Sequence, residues 1–389
     1  MTRVCRCLNC IVPPHLLKKL LESNNIQLRR AALDTLLSTA KLRGERSVQV
    51  AFASAATGSS RRSIFDCKHS TNLSRATLAR SEGGPATRDA AVNSAYDGFG
   101  ATRDFYKQIL HRDSIDDRGM RLNGYVHRGR SYNNAFWDGR EMVFGDGDGL
   151  MFTDFTKSID VIAHELTHGV TEHTAGLEYH EQSGALNESI SDVFGSLVKQ
   201  WRLKQTAAQA DWLIGVEVFT PGVKADALRS MKAPGTAYDN EEFGKDPQPD
   251  HMNHYQNLPD TEEGDNGGVH INSGIPNKAF FVTAMELTGF AWEAPGHIWY
   301  EALKASGPTT NFQEFASTTY AKAGQLYGLG SAQQKAVLTG WREVGIEVGS
   351  MALVSSEGGD TLTVLTKRIE ALSAQVDALA QEIRPAKAA

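Results

Sequence analysis

Apolar residues recur at helical spacing near both ends of this chain and through its second half, with a strand-like stretch between. Leu16, Leu17, Leu20 and Leu21, then Leu28, Ala31, Ala32 and Leu36, step by three and four and predict two short basic helices. Residues 42–62 turn to Ser, Ala, Gly and Arg, a linker composition of the kind that proteases nick. Residues 90–110 are amphipathic at the helical period. Shorter segments broken by Gly and Asp follow, of which 120–126 and 140–144 read as strands. From 159 to 348 the pattern is helical, with segments near 160–175, 187–204, 273–289, 297–305, 312–326 and 331–342; Pro and Gly are densest at 232–268. After a linker-like stretch at 349–360, Leu362, Leu365, Ile369, Leu372, Val376, Leu379 and Ile383 alternate steps of three and four. That seam in 361–385 predicts a parallel two-stranded coiled coil and a homodimer through 362–383, or a single helix packed back on its own chain.

The densest chemistry lies on the helix around 160–175. Val161 to Gly169 reads V-I-A-H-E-L-T-H-G, which sets His164, Glu165 and His168 in H-E-x-x-H spacing. Residues four apart share one helical face, so both imidazoles can bind a single zinc ion while Glu165 reaches a water on it. A catalytic zinc takes three protein ligands. Twenty residues beyond His168, Glu188 in the run Asn187-Glu188-Ser189-Ile190-Ser191-Asp192 is the expected third. Asp192, one turn further on, is placed to accept the free N–H of a ligand histidine, with Asn187 as a second supporting residue.

H-E-L-T-H followed by A-G-L-x-Y and G-A-L-N-E-S-I-S-D resembles the thermolysin family of zinc endopeptidases. The resemblance runs from Ser63 to Val348 through Y-N-N-A-F-W (132–137), G-D-G-D-G (145–149), L-R-S-M (228–231) and D-N-G-G-V-H (265–270). It implies an α+β fold, with a β-rich half at 63–158, an α-helical half at 159–348 and the zinc cleft between them. It implies a neutral endopeptidase in which Glu165 is the general base and Tyr179 and His270 stabilise the oxyanion, with Asp265 orienting His270. Asn134 and the Ala135 backbone would hold the substrate main chain, and Arg229 a substrate carbonyl on the leaving-group side. Phe152, Val161 and Leu228 would line an apolar pocket for the residue after the cut. The segment Ile11-Val12-Pro13-Pro14-His15-Leu16-Leu17 is similar to the protealysin-like branch, whose short propeptide carries a Pro-Pro motif. Residues 1–46 are then an intramolecular inhibitor and 47–62 the maturation region, with cuts expected before Val48, Val50 or Phe52.

One departure from the family stands out. Many relatives bind two calcium ions beside the zinc helix, but here Lys199, Leu213 and Val216 replace acids, while Asp160 and Asp211 remain. The expectation is an absent double-calcium site, with Lys199 paired to Asp160 or Asp211; Thr220 and Asp226 leave room for one weaker site.

Composition adds limits. The chain has 389 residues, 41% hydrophobic and 22% charged, with net charge −6, which gives no case for nucleic acid. No apolar run approaches a membrane span. The first residues form no convincing secretory signal, so synthesis in the cytoplasm with non-classical export or retention there stays open, whereas the family implies secretion. Cys5, Cys7, Cys10 and Cys67 are expected outside the catalytic region; a metal site, a thiolate cap on the precursor's zinc and plain reduced thiols all stay open. The competing reading is a catalytically silent binding protein that assembles through its tail.

Overall fold

The computed structural model describes residues 9–49 and 61–348. The bonds before Val50 and Phe52, and the heptad tail, lie outside the described residues.

Chain entry is set by two prolines. Strand β1 (Asn9–Cys10) ends before Pro13, whose extended backbone caps α1 (Pro14–Leu21). Pro14 at the first helical position costs nothing, because that N–H would be unpaired anyway. Leu16, Leu17 and Leu20 are buried beneath α1. The second helix, α2 (Ile26–Gln49), continues past the expected domain end at 46 and contains the Ser47–Val48 bond. Composition had marked that bond as linker, but a run with no internal proline can stay helical.

The first half holds β2 (Arg62–Asp66), β3 (Thr77–Ser81), α3 (Ala90–Ile109), β4 (Leu122–Val126), β5 (Ala135–Trp137) and β6 (Glu141–Phe144). Arg62, placed in the linker by composition, opens β2. The six strands form one sheet in the order β1-β5-β6-β4-β2-β3, with β2, β4 and β6 parallel and the rest antiparallel. Helix α3 starts at Asp89, whose carboxylate accepts the Val92 N–H at 3.2 Å.

The second half is helical: α4 (Ile159–Glu172), α5 (Glu181–Leu203), α6 (Asp265–Asn272), α7 (Gly274–Leu287), α8 (Ala294–Lys304), α9 (Phe312–Tyr327) and α10 (Ala332–Glu343). Two short strands, β7 (Leu213–Ile214) and β8 (Arg229–Ser230), pair between α5 and α6. Helix α5 begins six residues before its apolar period does, because Ser183 and Gly184 pack inward without carrying a hydrophobic signal. Helices α4 and α5 cross closely: a Cβ on Gly195 would lie 2.7 Å from the Asp160 carbonyl. Nearly every α4 residue is buried, as expected of a helix that is apolar on most sides.

His127, just past β4, ties three elements together. Its Nδ1 donates to Asp146 at 2.7 Å and its Nε2 to Asp89 at 2.9 Å. Both nitrogens donate, so the ring is cationic; the Asp146 bond, against the cost of burial, pushes its pKa up to about 9. A raised folded-state pKa means that this tie stabilises fully below the ordinary value of 6.5 and is lost as pH climbs towards 9. The urea midpoint of the Glu165→Ala protein should therefore fall between those pH values, and fall less when His127→Gln is added. Equal slopes would remove the tie from the account.

Candidate active site

Helices α4 and α5 bring the predicted ligands together. His164 Nε2 and His168 Nε2 lie 3.0 Å apart, and Glu188 oxygens sit 3.5 and 3.4 Å from them. All three side chains are buried. Among the described residues these form the one group of His, Cys, Asp or Glu close enough to share an ion.

The outer nitrogens decide what the inner ones can do. His164 Nδ1 donates to Asp192 at 2.8 Å, and His168 Nδ1 to Asn187 Oδ1 at 2.8 Å, with Ser191 Oγ at 3.0 Å. Each inner Nε2 then carries a lone pair. Burial pushes His168 down to about 3, against the pull of Glu188, so it is a neutral imidazole near pH 7. Two lone pairs facing each other beside a carboxylate repel unless a cation lies between them. One Glu188 oxygen, Oε2, has no hydrogen-bond partner. Two imidazoles and a carboxylate are a donor set that suits zinc.

Asp192 fixes more than a ligand. Arg229 grips it through Nε and one terminal nitrogen, both at 2.8 Å, and Asn277 donates to it at 2.9 Å. Burial opposes its charge, yet Arg229 and His164 hold Asp192 below the usual carboxylate range. Asn277 is a site residue that no motif announced, since a lone Asn on α7 carries no spacing signal.

Glu165 lies beside the ligands on α4. It accepts the Trp137 N–H at 2.9 Å, and its other oxygen is unpartnered. Burial and the nearby Glu188 push it well above the usual carboxylate range. Across the site, the Tyr179 hydroxyl donates to Glu188 and lies 3.2 Å from His270 Nε2. Asp265 takes the His270 Nδ1–H at 2.6 Å and its backbone N–H at 2.9 Å. Burial works against a charge on His270, but Asp265 and then Glu188 push it up to about 9. The turn beneath it needs its glycines. Asp265, Asn266, Gly267 and Gly268 all have positive φ, and a Cβ on Gly267 would meet the Glu181 backbone.

A segment of the chain itself, residues 9–12, lies against these groups. Strand β1 pairs antiparallel with β5, and Ile11 N–H continues the ladder to the Ala135 carbonyl at 3.2 Å. Val12 N–H donates to Asn134 Oδ1 at 3.0 Å. The Ile11 carbonyl accepts from Arg229 at 3.0 Å, and the Cys10 carbonyl from His270 Nε2 at 2.9 Å. Cys10 is therefore in the catalytic region, contrary to the expectation that no cysteine would be. Sequence distance gave no hint, because strand pairing spans more than 120 residues here. Cys5 and Cys7 lie outside the described residues. Phe152, Val161 and Leu228 are buried in the same apolar core as Ile11 and Val12. Phe152 also stacks on Phe155 and Phe219 and meets Phe243 at a tilt.

Residues 43–172 match the family described as thermolysin metallopeptidase, catalytic domain, and 175–346 match its alpha-helical domain. The chain belongs to the thermolysin family of metallopeptidases. It is 47% identical over 341 residues to an extracellular metalloprotease of Pectobacterium carotovorum subsp. carotovorum, covering 87% of this chain and 96% of that one. A thermolysin of Alicyclobacillus acidocaldarius is 40% identical over 67% of this chain and 46% of its own. Among solved structures, the precursor of protealysin from Serratia proteamaculans matches with TM-score 0.78 and 47% identity, covering 87% of this chain and 99% of that one. The α+β architecture is thus the family's: a β-containing domain and an α-helical one, with the His-His-Glu group on α4 and α5.

Beside α4, Lys199 Nζ lies 3.1 Å from Asp160, 2.9 Å from Asp211 and 3.1 Å from the Leu213 carbonyl. The sequence reading paired it with one acid or the other; it takes both.

If Asp192 orients His164, Asp192→Asn should weaken zinc binding about 10- to 100-fold in competition with a chromophoric chelator. Unchanged affinity would refute that role.

Proposed function

We propose that the chain is a zinc-dependent neutral endopeptidase made as a zymogen, in which residues 1–46 block their own cleft. The observation that carries this reading is the N-terminal strand hydrogen-bonded to His270, Arg229, Asn134 and Ala135, the residues assigned to hold a substrate.

In this reading zinc, held by His164, His168 and Glu188, would supply an acidified water and polarise the scissile carbonyl. Glu165 takes the water's proton and returns it to the leaving amine. Its position supports this: one of its oxygens is buried without a partner, beside the strand whose Ile11 N–H stands where a leaving amine would lie. His270 and Tyr179 donate to the carbonyl oxygen as its charge grows, so their help is strongest in the transition state. Asp265 keeps His270 a donor at that oxygen. Arg229, Asn134 and the Ala135 carbonyl align the main chain as an added strand, which demands little of the substrate's sequence. The apolar core around Phe152, Val161 and Leu228 supports a preference for Leu, Phe, Ile or Val after the cut, though neighbouring apolar residues differ there by only about 1–3 kcal/mol. Extracellular relatives support secretion, and no described helix is long and apolar enough to cross a membrane. The intact catalytic set favours the peptidase over a silent binding protein.

Lys199 supports the absence of the family's paired calcium ions, since its ammonium fills the charge that Asp160 and Asp211 require. Calcium should then not bind at Asp160 and Asp211, whatever it does at Thr220 and Asp226. Lys199→Met should cost roughly 3 kcal/mol by stranding the buried Asp160. Calcium found bound at Asp160 and Asp211 in a crystal grown with the ion would overturn this proposal.

Glu165→Ala should lower kcat/KM of the mature enzyme about 10²- to 10⁴-fold on a quenched peptide with Leu or Phe after the bond. Mass spectrometry should show wild type shortening itself between residues 43 and 60 while the mutant stays full length. A mutant that still matures and cleaves would sink the assignment of the base.

A further inference from the structure

We propose that the Cys10–Ile11 peptide bond is itself a cleavage site, cut by the same molecule before the propeptide is released. The proposal rests on the peptidase reading above.

The register of β1 is the argument. A bound substrate presents the carbonyl being attacked to the oxyanion donors and the next carbonyl to Arg229. Here His270 Nε2 holds the Cys10 carbonyl at 2.9 Å and Arg229 holds the Ile11 carbonyl at 3.0 Å. The intervening N–H, that of Ile11, faces the Ala135 carbonyl and Glu165. The next, that of Val12, goes to Asn134. Four contacts therefore agree on one scissile bond and on a productive chain direction. The residue after that bond is Ile11, fully buried and apolar, as the pocket requires. A blocking strand laid across the cleft in another register or the opposite direction would not meet these partners in this order.

Hydrolysis balances without any further reactant but water. Water adds its oxygen to the Cys10 carbonyl carbon, the C–N bond breaks, and the proton passes through Glu165 to the Ile11 nitrogen. Cys10 gains a carboxylate and Ile11 becomes a free amine. Residues 1–10 can then leave. Residues 11–14 stay, held by Arg229, Asn134 and the buried Leu16, Leu17 and Leu20 of α1. The cut would clear one side of the cleft and leave a tethered product on the other.

The test starts from full-length protein purified without metal, then loaded with zinc in oxygen-18 water at two protein concentrations. N-termini and intact masses are followed over time, with hydrolysis of the quenched peptide measured in the same samples. The expected result is a chain beginning at Ile11 and a 1–10 fragment with oxygen-18 in its Cys10 carboxylate. Both should precede the cuts at 43–60, at one first-order rate for both concentrations. Ile11→Gly should slow this step about tenfold or more. In the metal-free protein, slow exchange of the Ile11 and Val12 amides reads the docked register without catalysis, and fast exchange of both would overturn it. If the samples cleave the peptide while residues 1–10 stay attached, this proposal fails and the peptidase reading survives. A rate proportional to protein concentration also overturns it. If neither peptide nor chain is cut, this proposal fails.

Discussion

Two imidazole lone pairs and a carboxylate forced together in a buried space are the constraint on which this structure depends. Left alone, the arrangement is repulsive, and the fold must hold it ready for a cation. Helices α4 and α5 do so by crossing at Gly195, where any side chain would push Asp160 and His164 away. Asp192 and Asn187 lock the outer ring nitrogens, so neither imidazole can turn its lone pair aside. Asp192 in turn needs a cation of its own, and Arg229 provides it. Since Arg229 also reaches the strand in the cleft, ligand geometry and peptide binding share one buried ion pair.

How much of this was legible depends on whether a residue's role travels with its spacing. His164, Glu165 and His168 could be read because one helical turn fixes their geometry. Glu188 and Asp192 could be read because they too share a turn. The long helices α3 and α7 to α10 followed from apolar period. Asn277 could not be read: its role comes from a fold that carries α7 over α5. Nor could the left-handed run at Asp265–Gly268 be read beyond the presence of two glycines, since the Glu181 atoms that a Cβ on Gly267 would meet belong to another helix, far away in sequence. The end of α2 was missed because Ser, Arg and Gly suit a linker and also tolerate a helix.

Cys10 shows the same limit at long range. Nothing local in C-x-C-x-x-C separates a mobile thiol from a strand residue packed on Tyr132, Phe136 and Val143. What places it is the open edge of β5, which offers N–H and C=O groups to any extended segment that can reach them. The first segment to reach it belongs to the chain itself.

The prolines after that strand bear on how it sits. A short strand on an open edge is free to slip, and a slip of one residue exchanges the faces of every side chain. Moving the segment so that Pro13 replaced Val12 would cost Asn134 Oδ1 its donor from the strand, because proline has no N–H, and leave it only the Ala135 N–H. Moving it the other way would drag α1 and its buried leucines out of the core. Pro13 and Pro14 thus act as a stop on both sides of a sliding fit: the missing donor blocks one direction and the helix they begin anchors the other.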